Sequence, residues 1–224
     1  MIKVENIEVY NIARAVYSAR NALNSWDKSD SDLKNDVLGE ADLDLARRLF
    51  KAGADGNFAH RKFLRQCFVC MDITAPLYWW KEFDTYKVGT TSNSCSTMHT
   101  IHKRNLTLDD FSHEHLYGDI NADGSYSIDE PLGVLQYTID EINRWREEFG
   151  RTGEKEAWYQ IIQLLPTSFN QKRTITMNYE NVFNILQQRQ GHKLYDWRVL
   201  CEILKDLPYV REIGGIEDEI KSDS

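Results

Sequence analysis

Thr90, Thr91, Ser92, Asn93, Ser94, Cys95, Ser96 and Thr97 follow one another without interruption. A run this polar does not fill a core. Its hydroxyls and backbone N–H groups can wrap an anion, although a solvated loop would use the same residues. A second spacing, Asp119, Asn121, Asp123, Gly124 and Glu130 in "DINADGSYSIDE", satisfies D-x-[DN]-x-[DN]-G-x5-E. Calcium takes about six to eight oxygens, and one tight loop can supply many of them. Here the donors would be Asp119, Asn121, Asp123, Ser125 and Glu130, with Gly124 making the turn. An Asp-Gly turn without metal is the plainer alternative, and Pro131 removes a donor early in the helix that must leave the loop. A third spacing, Cys67 and Cys70 in "CFVC", matches the C-x-x-C of redox pairs. It falls in a predicted strand, where residues three apart face opposite ways, so two buried thiols are expected instead.

The stretch "LLPTSFNQKRTITMNYENVFNILQQRQGHKLYDW" carries more. Leu165-Pro166 ends a helix, and Thr176-Met177-Asn178 ends a strand. Asn184, Arg189, His192 and Trp197 follow. This series resembles the C-terminal signature of the flavin-dependent thymidylate synthases. That family's Arg-His-Arg, seven residues, then Ser falls here on Thr85-Tyr86-Lys87 and Cys95, with Gly89 between. The following Arg of the family falls on Thr97. The resemblance covers about residues 60–99 and 155–200.

The resemblance implies an α+β fold, with a mixed sheet flanked by helices and a helical C-terminal half. It implies reductive methylation of dUMP to dTMP by a homotetramer whose ligands sit where subunits meet. FAD, NADPH and methylenetetrahydrofolate would serve the reaction. Carried over residue by residue, Cys95 and Arg189 stand at the chemistry. His60, Tyr86, Lys87, Asn178, Asn184 and His192 face the flavin. Glu82, Ser94, Cys95, Ser96 and Arg189 face dUMP. Lys81, Arg173 or His99 would make up for cations missing at positions 85, 86 and 97. The alternative is a relative that binds a nucleotide or flavin without methyl transfer. Read singly, each of these residues has an ordinary use: Asn178 suits a helix cap, and Asn184 and Arg189 suit a solvated face.

Several elements must position these residues. "IKVENIEVYN" alternates apolar and polar with one slip, as a strand does. Residues 11–23 have apolar side chains at helical spacing. "ADLDLARRLFKAG" reads as a helix capped by Asp42 and stopped by Gly53. Residues 63–73 read as a strand, and "APLYWWKEFDTY" as a short helix with Pro76 in its first turn. "LTLDDFSHEHLYG" suggests a helix leading into the acidic loop. "PLGVLQYTIDEINRWREEFG" is the plainest helix, ending at Gly150. "EKEAWYQIIQLLP" is another, then "RTITMNY" alternates as a strand. "NVFNILQQRQ" and "DWRVLCEILKDL" complete the helices.

The chain of 224 residues suits one domain over 1–210, with 119–130 as a possible insertion and 211–224 as an acidic polar tail. A net charge of −8 argues against a broad nucleic-acid or anionic-membrane surface but leaves room for a small phosphorylated ligand. No apolar run reaches membrane-spanning length. Four cysteines in a chain this long do not form a disulfide framework. Reduced thiols and a cytoplasmic setting are expected.

Overall fold

The computed structural model describes residues 1–54 and 58–217. The last seven residues of the expected acidic tail lie outside them. The fold is α+β, as the sequence implied. The four-stranded sheet is antiparallel, however, where a mixed one was expected.

Strand β1 (Lys3–Tyr10) contains the slip in alternation, and Asn6 there takes a left-handed backbone with φ 52°. Asparagine tolerates that region because its short side chain bonds locally; here Asn6 Nδ2 donates to Asp72 at 2.9 Å. Helix α1 (Ile12–Ala19) follows and buries Ile12, Ala13, Ala15 and Val16. Helix α2 (Glu40–Ala54) begins two residues before the expected cap and runs through Gly53. Asp30 serves its N-terminus instead, accepting from the N–H groups of Ala41 and Asp42. Residues 58–66 form a 3-10 helix, so β2 (Phe68–Pro76) starts five residues later than its apolar content suggested. Val69, Met71, Ile73 and Ala75 alternate as the buried face of β2.

Pro76 precedes helix α3 (Leu77–Phe83) rather than lying inside it. The Ser/Thr/Asn run is not a loop throughout. Strand β3 (Thr90–Ser94) and the short helix α4 (Thr97–Thr100) use most of it. The helix expected in "LTLDDFSHEHLYG" is reduced to a 3-10 turn, Leu108–Asp110. Helix α5 (Pro131–Thr152) overruns Gly150 and ends at Gly153, whose φ of 71° is the left-handed conformation that closes helices. Helix α6 (Lys155–Leu164) and strand β4 (Asn170–Asn178) come next. They are followed by α7 (Tyr179–Arg189), α8 (Tyr195–Lys205) and α9 (Val210–Gly214). Helix α9 occupies the start of what was expected to be tail, and its Val210 and Ile213 are buried. Strand order is β1-β2-β4-β3.

The chain divides into two compact units. The first comprises Met1–Lys3, Ile73–Thr85 and Asn93–Arg173. Its core is Ile101, Leu106, Phe111, Leu135, Ile139, Ile142 and Ile161, where α5 and α6 pack. On α3, Trp79, Trp80 and Phe83 form an aromatic cluster with centroids 4.9–5.4 Å apart. The second unit comprises Val4–Asp72, Tyr86–Ser92 and Thr174–Ser224. Its core draws Val16 from α1, Ala46 from α2, Ile185 from α7 and Trp197, Leu200 and Leu204 from α8, all fully buried.

Candidate functional site

In the second unit, three of the expected residues meet around Trp197. The Tyr86 hydroxyl donates to Gln188 Oε1 at 2.9 Å and accepts from Arg189 Nε at 3.0 Å. The Arg189 guanidinium carbon lies 4.7 Å from the centre of the Trp197 ring and 5.8 Å from that of Tyr86. These are the distances of cation–π contacts, which favour the weakly hydrated guanidinium. The His192 ring meets Trp197 edge-on at 6.2 Å, and its backbone N–H donates to the Arg189 carbonyl at 3.0 Å. Trp197 is entirely buried, which fixes the centre of the group. Helix α7 supplies Gln188 and Arg189, and α8 supplies Trp197. Tyr86 stands outside any helix or strand, four residues before β3.

Asn178 lies at the N-terminus of α7 and caps it, its Oδ1 accepting from the Asn181 N–H at 3.0 Å. Its own N–H donates to the Gly89 carbonyl at 3.1 Å. Asn181, which the sequence reading passed over, donates through Nδ2 to the Val88 carbonyl at 2.5 Å and to Thr90 Oγ1 at 2.8 Å. The two asparagines thus pin residues 88–90 to the start of α7. Asn184 is half-buried on the same helix, and Lys87 is exposed. His60 lines a different groove of this unit, of about 470 Å3, with Ser18, Asn21, Lys62, Phe63 and Gln66.

The remaining residues fall in the first unit. The Cys95 N–H donates to the Lys172 carbonyl at 2.9 Å, and its carbonyl accepts from Gln171 Nε2 at 3.0 Å. Its thiol stands 3.8 Å from Thr100 Oγ1. Cys95, Thr97, Thr100, Asn170, Gln171 and Lys172 share the wall of a cavity of about 330 Å3 over a floor of Ile101, Leu106 and Phe169. Asn170 Oδ1 is buried there and meets no hydrogen-bond partner among the described residues. Ser94 ends β3 and Ser96 precedes α4; both are exposed. Glu82 is half-buried on α3. Arg173 is committed elsewhere: it pairs with Asp84 at 2.8 Å and lies 4.2 Å over Trp80. Arg104 forms a two-pronged pair with Asp110, whose carboxyl is raised by burial but brought lower overall, first by that arginine.

Two other chemical spacings remain. The loop 119–130 has a helix only on its exit side, and its polar groups satisfy one another. Asn121 Nδ2 donates to Ser125 Oγ at 2.8 Å, Ser125 donates to Asp123 Oδ1 at 2.7 Å, and the Asp119 N–H reaches Glu130 at 3.4 Å. The Ser125 hydroxyl and then its N–H hold the Asp123 carboxyl below the ordinary range. Among the described residues, no three His, Cys, Asp or Glu side chains gather as metal ligands. In this arrangement the loop closes on its own hydrogen bonds. Adding calcium or EDTA is expected to leave Tm within about 1 °C, because only a ligand of the folded state shifts it; a calcium-dependent rise in a thermal scan would show that the loop takes the ion. Of the C-x-x-C cysteines, Cys67 is buried, which pushes its thiol up to about 12, while Cys70 is only half-buried, where two buried thiols were expected.

Neither a family model nor a curated protein matches this sequence. Solved structures do. A flavin-dependent thymidylate synthase from Helicobacter pylori, complexed with FAD and dUMP, aligns with a TM-score of 0.65 at 15% identity. It covers 94% of this chain and 96% of its own. A second structure of that enzyme gives 0.64 at 16%, over 95% and 96%. The UMP/dUMP methylase PolB from Streptomyces cacaoi, bound with 5-Br dUMP, gives 0.59 at 12%, over 96% and 94%. The likeness is one of fold.

Proposed function

From that fold we propose that the chain is a nucleotide-binding enzyme of the flavin-dependent thymidylate synthase type, converting dUMP to dTMP. Methylenetetrahydrofolate would donate the methylene group and NADPH the reducing equivalents. The observation that carries the reading is the Arg189 guanidinium, held by Tyr86 and Trp197 at the end of α7, in a fold whose solved neighbours hold FAD and dUMP. A planar fork of this kind suits a phosphate or a base edge.

The donor set is of the right kind for FAD. His60, Lys87, Asn184 and His192 offer N–H donors to flavin carbonyl and phosphate oxygens. Asn178 contributes differently, by capping α7 and fixing Gly89. A bound flavin would supply the redox chemistry, hydride transfer between NADPH and the methylene carbon. The chain's own work is orientation and charge neutralisation, which is the usual division of labour with a cofactor. For dUMP, Arg189 supplies the cation. Within the first unit, Cys95, Ser94 and Ser96 would offer N–H, hydroxyl and thiol groups to a nucleotide, and Glu82 an acceptor for its N–H or hydroxyl. Copies of the chain would complete the sites as a homotetramer.

A second reading is favoured by one observation: Thr85, Tyr86 and Thr97 carry no full positive charge, and Lys87 alone is cationic among these positions. Each charge-assisted bond contributes about 1.5–3 kcal/mol, so a ligand diphosphate is held weakly. A relative that binds nucleotide or flavin without methyl transfer would accept that loss. No helix among the described residues is long and apolar enough to cross a membrane.

Purified protein mixed with FAD, dUMP, NADPH and methylenetetrahydrofolate is expected to form dTMP, with a flavin spectrum that survives gel filtration only when FAD is in the buffer. Light scattering on the same sample is expected to give four times the 26.2 kDa chain mass. Binding of FAD and dUMP without dTMP would select the second reading. Absence of both binding and product would reject the pair.

A further inference from the structure

We infer that Tyr86 is a positioning residue, whose hydroxyl fixes the Arg189 guanidinium for an anionic nucleotide; the inference rests on the nucleotide-binding reading above. A phenol has one proton and can accept through its lone pairs. The proton of Tyr86 goes to Gln188 Oε1 at 2.9 Å. A lone pair is thereby turned toward the Arg189 Nε–H, which donates at 3.0 Å. Donation therefore runs in one direction, from Arg189 through Tyr86 to Gln188. Fixing Nε sets the plane of the fork, and the plane sets where both Nη groups point.

Packing locks the same geometry from the other sides. Tyr86 and Trp197 stand with centroids 6.0 Å apart and rings tilted by 59°, and the guanidinium carbon lies within cation–π range of both. Trp197 has no exposed surface, so its ring cannot swing aside. The His192 N–H ties the Arg189 backbone to the turn that leads into α8. An arginine side chain has many rotamers to lose when it grips a ligand. Ordering it beforehand leaves less to lose at binding, which raises affinity without adding a contact.

The test has a nucleotide arm and a nucleotide-free arm. Affinity for dUMP is measured for the wild type, Tyr86→Phe, Arg189→Met and the double variant. Phenylalanine keeps the ring and deletes the hydroxyl, so Tm should move by only a few degrees. Tyr86→Phe is expected to weaken dUMP binding about tenfold, and Arg189→Met more. In the Arg189→Met background, Tyr86→Phe is expected to add nothing, because its effect passes through the missing guanidinium. Additive losses, or an unchanged affinity in Tyr86→Phe, overturn the inference.

In the second arm, 15N-arginine-labelled protein reports the Arg189 Nε–H, assigned by its disappearance in Arg189→Lys. A slowly exchanging resonance in the wild type should broaden or vanish in Tyr86→Phe. An identical resonance in both overturns the inference whether or not dUMP binds. Wild-type protein that does not bind dUMP overturns the nucleotide reading and with it the stated purpose of the positioning. The resonance then tells the two failures apart.

Discussion

Asp42→Ala is expected to lower the free energy of unfolding at neutral pH by about 3–5 kcal/mol, the usual cost of breaking a buried ion pair by removing one partner. Asp42 is wholly buried and Arg20 is 6% exposed. Arg20 donates to Asp42 Oδ1 at 2.6 Å, while Ser29 and Ser31 donate to Oδ2 at 2.6 and 2.5 Å. Alanine strands the guanidinium and both hydroxyls at once. Burial on its own pushes the Asp42 carboxyl up, but the bonds from Ser29, Ser31 and Arg20 together hold it below the ordinary range. The sign for stability follows. A depressed carboxyl stabilises the fold above the unfolded-chain value, and that stabilisation is lost as pH falls through the lower folded value. Urea titrations at neutral pH and near pH 3 check both parts. The variant should be much weaker than wild type at neutral pH, and the gap should narrow in acid. Equal midpoints at neutral pH would show that the cluster contributes nothing.

Gly89→Val should combine a stability loss of about 3 kcal/mol or more with loss of ligand binding. Gly89 has φ +73°, a region costly for any residue with a Cβ and worst for a branched one. A Cβ built there comes within 2.1 Å of Asn178 Nδ2. Either the chain at 88–90 or Asn178 must then move. Displacing Asn178 removes the α7 cap, worth about 1 kcal/mol. Helix α7 also carries Arg189 at its far end, so a shift at its start is transmitted to the guanidinium. Thermal melting and dUMP titration of Gly89→Val beside Gly89→Ala check this. Alanine should show a milder form of both losses. Wild-type affinity in the valine variant would mean that the Gly89 turn is irrelevant to the site.

What was legible in the sequence, and what was not, follows from the range of each interaction. Helices with strong 3.6 periodicity, α5 through α8, were readable because their apolar faces are local. The slip in β1 was readable too, and Asn6 explains it. Strand β2 was placed too early because Phe63 and Leu64 of the 3-10 segment are as apolar as the strand they precede. Strand β3 was read as loop because Thr, Ser and Asn alternate no apolar face; it is a strand because β4 lies beside it, a fact that no local pattern contains. Asp42 looked like a cap because short acidic residues at helix starts usually are. Its partners Arg20 and Ser29 are 22 and 13 residues away. Asn178, Arg189, His192 and Trp197 were singled out through the family resemblance, which local pattern alone would not have done. Asn181 was missed because its bonds reach 91 and 93 residues back. The calcium spacing records side-chain types alone, and it could not tell that the fold omits the helix expected to enter the loop.

Both rims of the sheet resist further growth. At one, β3 is five residues long and presents only hydroxyl and carboxamide side chains. At the other, β1 carries Lys3, Glu5 and Glu8 and is kinked at Asn6. Short, hydrophilic, charged or bent borders make poor templates for a foreign strand and guard against amyloid-like stacking. Crowded, freshly synthesised copies are thereby steered away from main-chain zippering, and self-association is left to side-chain surfaces.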